Sequence, residues 1–158
     1  MAGARPARLW RWVLAGLLAY VAASSCVAIY LGLRLGDPQI WLIALESASL
    51  MAALVAVLAV LGRTHGRAFA LVAALVQAAA VFAGELWMRS MLAHFDALMA
   101  AYPDRAKALG PIGASMRAAL GSPAHLLEVA AQLLVVLAIV LAVMKLRVEE
   151  ERGRKPAH

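Results

Sequence analysis

Four long apolar blocks constrain this chain more than any other feature. They run over about 9–33, 40–61, 68–92 and 124–146. Each is long enough to cross roughly 30 Å of hydrocarbon, which takes about 20 helical residues. None alternates polar and apolar residues with the period of two that a membrane barrel strand requires. Inside lipid the backbone must satisfy its own hydrogen bonds, so blocks of this kind are helices. The composition agrees: 65% of the 158 residues are hydrophobic and 15% are charged, against about a quarter charged in ordinary soluble domains. The expected fold is an all-α membrane protein with four transmembrane helices in one domain over 1–148, followed by a charged tail over 149–158.

The breaks carry helix punctuation. Gly36-Asp37-Pro38 separates the first two blocks, and proline suits a first helical turn. Gly62 to Gly66 makes a tight polar turn between the second and third. Gly121-Ser122-Pro123 opens the fourth, with Ser122 as its N-cap. Two short turns imply an antiparallel up-down bundle. The connection 93–122 is longer. His94 to Met99 and Ala114 to Leu120 have apolar residues at helical spacing, with Pro103 and Gly110-Pro111-Ile112-Gly113 as breaks. It reads as an extension of helix three, a turn, and a short amphipathic helix on the membrane surface.

Counting lysine and arginine orients the bundle. Arg5, Arg8, Arg11, Arg63, Arg67, Lys145, Arg147, Arg152, Arg154 and Lys155 fall on one side. Half as many, Arg34, Arg89, Arg105, Lys107 and Arg117, fall on the other. Both termini are therefore expected in the cytoplasm, and the chain in the inner, cytoplasmic membrane. The N-terminal arginines and Val13 to Ala23 resemble the first parts of a signal peptide, but the apolar run continues to Leu33. That length predicts an uncleaved anchor helix. Trp10 and Trp12 at one edge, and Trp41 and Trp87 toward the other, suit aromatic belts.

The net charge of +6 does not point to nucleic acid, because the basic residues flank helix ends, where they meet anionic headgroups. The expected surroundings are the lipid bilayer and a membrane-protein partner or second copy, with Gly32 and Gly36 as a GxxxG packing pair. Cys26 stands alone, which excludes an intramolecular disulfide or a CxxC redox pair. Two histidines at matching depth on facing helices are missing, so no haem is expected. His65 sits among turn arginines, and His94, Asp96 and His158 read as surface residues.

Only three carboxylates interrupt the blocks: Glu46, Glu85 and Glu128. A mid-membrane charge costs roughly 2.5–3.5 kcal/mol on the lenient insertion scale, so such residues normally face the bundle interior and pair. Glu46 lies about 9 Å and Glu85 about 10 Å below the outer edge at 1.5 Å per residue, and Glu128 is shallower. His125 and Glu128 share a helix face, with Gln132 one turn on; Glu85 and Arg89 are four apart. Ser49 lies near Glu46, and Tyr20 and Ser24 come from helix one with Ser25 and Cys26 beside them. Facing inward, these residues would form one polar pocket on the outer side.

Three functions fit such a pocket. The acids could be interhelical ties in a structural or accessory subunit, or an assembly factor, of a membrane complex. They could carry protons or a cation in a small transporter, since burial favours the protonated carboxyl. Glu46, Glu85, Glu128 and His125 could instead bind zinc, manganese or iron, although bundle di-iron sites use Glu-x-x-His twice and this chain has one His-x-x-Glu. No Ser/Lys, paired Asp or His/Asp constellation suggests an enzyme.

Overall fold

A computed structural model describes residues 4–34, 40–62 and 65–154. All regular structure among them is helical, in five helices: α1 (Ala4–Arg34), α2 (Ile40–Gly62), α3 (Gly66–Ala101), α4 (Pro103–Leu120) and α5 (Pro123–Arg154). Four of them, α1, α2, α3 and α5, are long and apolar enough to cross a membrane. The chain is thus a multi-pass membrane protein by the length and composition of its helices. The Gly36-Asp37-Pro38 turn, Gly36 of the GxxxG pair, Arg63, Lys155 and His158 lie outside the described residues.

Three boundaries differ from the sequence expectation. Helix α3 does not end near residue 92 but runs unbroken for 36 residues to Ala101, about 54 Å at 1.5 Å per residue. Helix α4 begins at Pro103, as its first-turn proline suggests, yet continues through Pro111 and the neighbouring glycines. A proline inside a helix removes one backbone donor; one turn on, Ser115 donates its hydroxyl to the Pro111 carbonyl at 2.9 Å, an added bond rather than a replacement for the lost one. Helix α5 extends past residue 146, through Glu149-Glu150-Glu151 to Arg154, so the acidic start of the tail continues the helix.

The chain packs as two compact units, Met1–Ala80 with Leu134–His158, and Val81–Leu133. In the first, one core draws on four helices. Leu14, Leu18 and Val21 come from α1, and Ala53, Ala56 and Val60 from α2. Ala70, Ala73 and Ala74 come from α3, and Ile139, Ala142, Val143 and Leu146 from α5. Steps of three and four put each set on a single helix stripe. The stripes of α2 and α3 are almost wholly alanine, while Leu58 and Leu75 beside them are each 71% exposed. Lipid is as apolar as leucine, so membrane helices gain from close van der Waals approach rather than from burying large side chains. Small residues inside and large ones outside follow from that.

The α2–α3 turn is held by close contact. A Cβ on Gly66 would lie 2.6 Å from the Val60 Cα, so only glycine lets the start of α3 come this near to α2. His65, just before it, takes a left-handed φ of 47°. That conformation is uncommon outside glycine. The His65 carbonyl accepts from the Ala68 and Phe69 amides at 3.0 and 3.3 Å, two of the first amides of α3.

Packing in the second unit is much looser. Among its described residues only Gly113 is buried. A Cβ there would meet the Phe95 ring at 2.5 Å, so glycine lets α4 lie against the extension of α3. Arg117 of α4 donates to the Asp96 carboxylate of α3 beside this contact.

Candidate functional site

Polar side chains gather in three places, one of them in the second unit. There α3 presents Glu85 and Arg89, and α5 presents His125 and Glu128 near its start. Ser122 caps α5: its hydroxyl oxygen accepts the His125 amide at 3.2 Å and donates to the Ala119 carbonyl at 2.8 Å. This is the cap the Gly-Ser-Pro sequence predicts, and it fixes His125 in the first turn.

The His125 Nε2 lies 2.7 Å from the Glu85 Oε1, and both side chains are largely covered, at 19% and 16% exposure. The contact is off the N–H axis, so the buried Nε2 has no hydrogen bond of normal geometry. Arg89 reaches the other Glu85 oxygen at 3.6 Å from one turn along α3. Glu85 is therefore shared between an imidazole and a guanidinium. Glu128 is exposed and, with His125, lines a pocket of about 410 Å³. Met88 of α3 and Met116 and Leu120 of α4 form other parts of its wall. Gln132 is half-buried further along α5.

A second polar group lies in the core of the first unit. Gln77 of α3 is 3% exposed, and Ser25 and Ser49 are fully buried. Ser49 of α2 donates to the Gln77 Oε1 at 2.5 Å, and Ser25 of α1 to the same oxygen at 3.4 Å. One amide oxygen thus joins three helices. A polar side chain among alanines is costly unless paired, and this cluster provides partners on neighbouring helices.

Helix one presents different residues from those expected. Tyr20 is half exposed, and Ser24 donates to the Val21 carbonyl of its own helix at 2.9 Å. The buried stripe through Leu14, Leu18 and Val21 reaches Ser25 next. Ser24 is about 100° round the helix from it.

The third group joins the helix ends of the first unit. Glu150 of α5 pairs with Arg11 of α1 at 2.7 Å and with Arg67 of α3 at 3.4 Å. Glu149 and Glu151 pair along their own helix with Arg152 and Arg147.

Of the expected pocket residues, the structure brings together Glu85, Arg89, His125 and Glu128 in one unit. Ser49 and the half-buried Glu46 belong to the other, where Ser49 is tied to Ser25 through Gln77. No three His, Cys, Asp or Glu side chains among the described residues are grouped to hold a metal ion. Gln77 is absent from the sequence-based set, although it is the one amide in the apolar run 68–84, a signal that was there to read. Met88 and Met116 gave no signal, since methionine in an apolar helix is ordinary filler. No protein-family model matches the chain, and no curated protein or solved structure is found to be similar to it.

Proposed function

We propose that this protein is an accessory or assembly subunit of a larger inner-membrane complex. In this reading α1, α2, α3 and α5 cross the bilayer as an antiparallel up-down bundle with both termini in the cytoplasm. The excess of arginine and lysine near Arg11, Arg67 and Arg147 supports that orientation. Helix α4 then lies on the outer side, against the part of α3 that outruns the hydrocarbon.

The observation that carries the proposal is that polar side chains on these helices are engaged as ties between helices. Gln77 is tied to Ser25 and Ser49, Glu150 to Arg11 and Arg67, and Glu85 to His125. Contacts of this sort between membrane helices average about 0.6 kcal/mol, which suits glue and register. A proton-carrying transporter needs carboxylates that exchange partners, and that is the alternative to be tested.

The test has two arms on the full chain. On native gels of membranes solubilised in mild detergent, the protein should migrate in an assembly larger than its own monomer or dimer. In liposomes under a pH gradient, the purified protein should move no more protons than its Glu46→Gln, Glu85→Gln and Glu128→Gln variants. A proton flux that one of these variants abolishes while its thermal unfolding stays intact would establish the transporter instead.

A further inference from the structure

The pocket of the second unit collects an unusual set of donor atoms. Four of the seven methionines of the chain, Met88, Met91, Met99 and Met116, fall within Val81–Leu133. Two of them line the pocket together with His125. The three side chains come from three helices: Met88 from α3, Met116 from α4 and His125 from α5. Two thioethers and an imidazole are soft to intermediate donors. Thioether sulfur is a soft donor that selects ions such as Cu(I), whereas hard divalent ions prefer carboxylate, carbonyl and water.

The surroundings of His125 suit a ligating ring. A metal-bound histidine usually has its other ring nitrogen held by a carboxylate or carbonyl, which sets the tautomer and the ring's orientation. Glu85 stands 2.7 Å from Nε2, and the buried Nε2 makes no hydrogen bond of normal geometry, so one nitrogen of this ring has a carboxylate beside it and the ring is available to ligate. Met88 and Met116 are half-buried rather than locked in the core, and methionine has three rotatable bonds with which to bring its sulfur inward. Glu128 adds a carboxylate on the same pocket, attractive to an incoming cation.

From these contacts we infer that the pocket between the end of α3, α4 and the start of α5 binds one soft monovalent cation of the Cu(I) type. Met88, Met116 and His125 are its ligands, and Glu85 positions the imidazole. The site is independent of whether the protein works as a subunit.

Silver(I) is the probe, because it shares the soft-donor preference and does not change oxidation state. Cys26 is exposed and would bind silver itself, so the measurement uses the full-length Cys26→Ser protein in detergent with ¹³C-methyl-labelled methionine. One equivalent of silver should shift the Met88 and Met116 methyl resonances and leave those of Met51 and Met144 in place. Met88→Leu and Met116→Leu, which conserve volume and should fold normally, should each weaken binding at least tenfold. His125→Asn should do the same, and zinc should produce none of these shifts. No silver binding by the Cys26→Ser protein, shifts spread evenly over all methionines, or full affinity in both leucine variants would each overturn the inference. The methyl shifts decide the matter even if a variant is poorly folded.

Discussion

The two units of this molecule keep their helices together by different means. Met1–Ala80 with Leu134–His158 has an alanine-lined core drawn from four helices, with one buried amide at its polar centre. Val81–Leu133 has one buried residue among those described, a glycine under an aromatic ring, and relies on Glu85 with His125 and Asp96 with Arg117. Close packing is sensitive to volume and indifferent to salt. An ion pair such as Asp96 with Arg117, about half of whose surface is exposed, is the reverse and contributes little. The comparison teaches that the second unit should open first, since regions with few buried apolar contacts occupy the low-stability end of a protein.

The largest effect should come from Ala56→Leu. Ala56 is fully buried, and forcing extra methylenes into a packed core costs about 1–3 kcal/mol. Thermal unfolding in detergent should show a clear fall in midpoint. If the variant is as stable as the parent, the close-packed account of the first unit is wrong.

Gly113→Val should act next, and locally. The added side chain collides with the Phe95 ring, whose displacement should cost about 1 kcal/mol, the low end for overpacking, because little else is packed around it. Hydrogen exchange should quicken across residues 81–133 and stay unchanged over 14–30 and 49–60. Faster exchange everywhere would mean that the two units do not open separately.

Asp96→Asn should have the smallest effect. Asp96 and Arg117 are each about half exposed, and exposed pairs contribute roughly 0–1 kcal/mol. Hydrogen exchange over residues 95–117 at low salt should rise slightly, and the difference from the parent should shrink at 1 M salt, where the screening length is about 3 Å. A larger loss than that of Ala56→Leu would reverse the comparison.

What could be read from the sequence divides along the same line. The four spans were legible because about 20 apolar residues in a row have few other uses. The Ser122 cap was legible because hydroxyl, proline and apolar run stand in the order a helix start needs. The length of α3 was not, since the apolar run fades near Leu92. What carries the helix on to Ala101 includes Phe95 resting on Gly113, a contact 18 residues away along the chain that no local pattern records. That Ser25 rather than Ser24 faces the core is hidden from the sequence for a related reason. In a helix apolar all round, polarity does not mark the inward face, and only the stripe of Leu14, Leu18 and Val21 decides it. The carboxylates drew notice by their charge, whereas Gln77, equally telling in an alanine-rich run, carries none.

The turn at Gly66 has a consequence for how the protein is made. Three residues separate α2 from α3, and Gly66 sits against the backbone of Val60. With so short a link, α2 can hardly finish crossing the membrane before α3 must turn back into it. The two helices are therefore expected to enter the membrane together as one hairpin. A side chain at Gly66, forced against the Val60 backbone, is expected to act on the closing of that hairpin, before the rest of the bundle has packed around it.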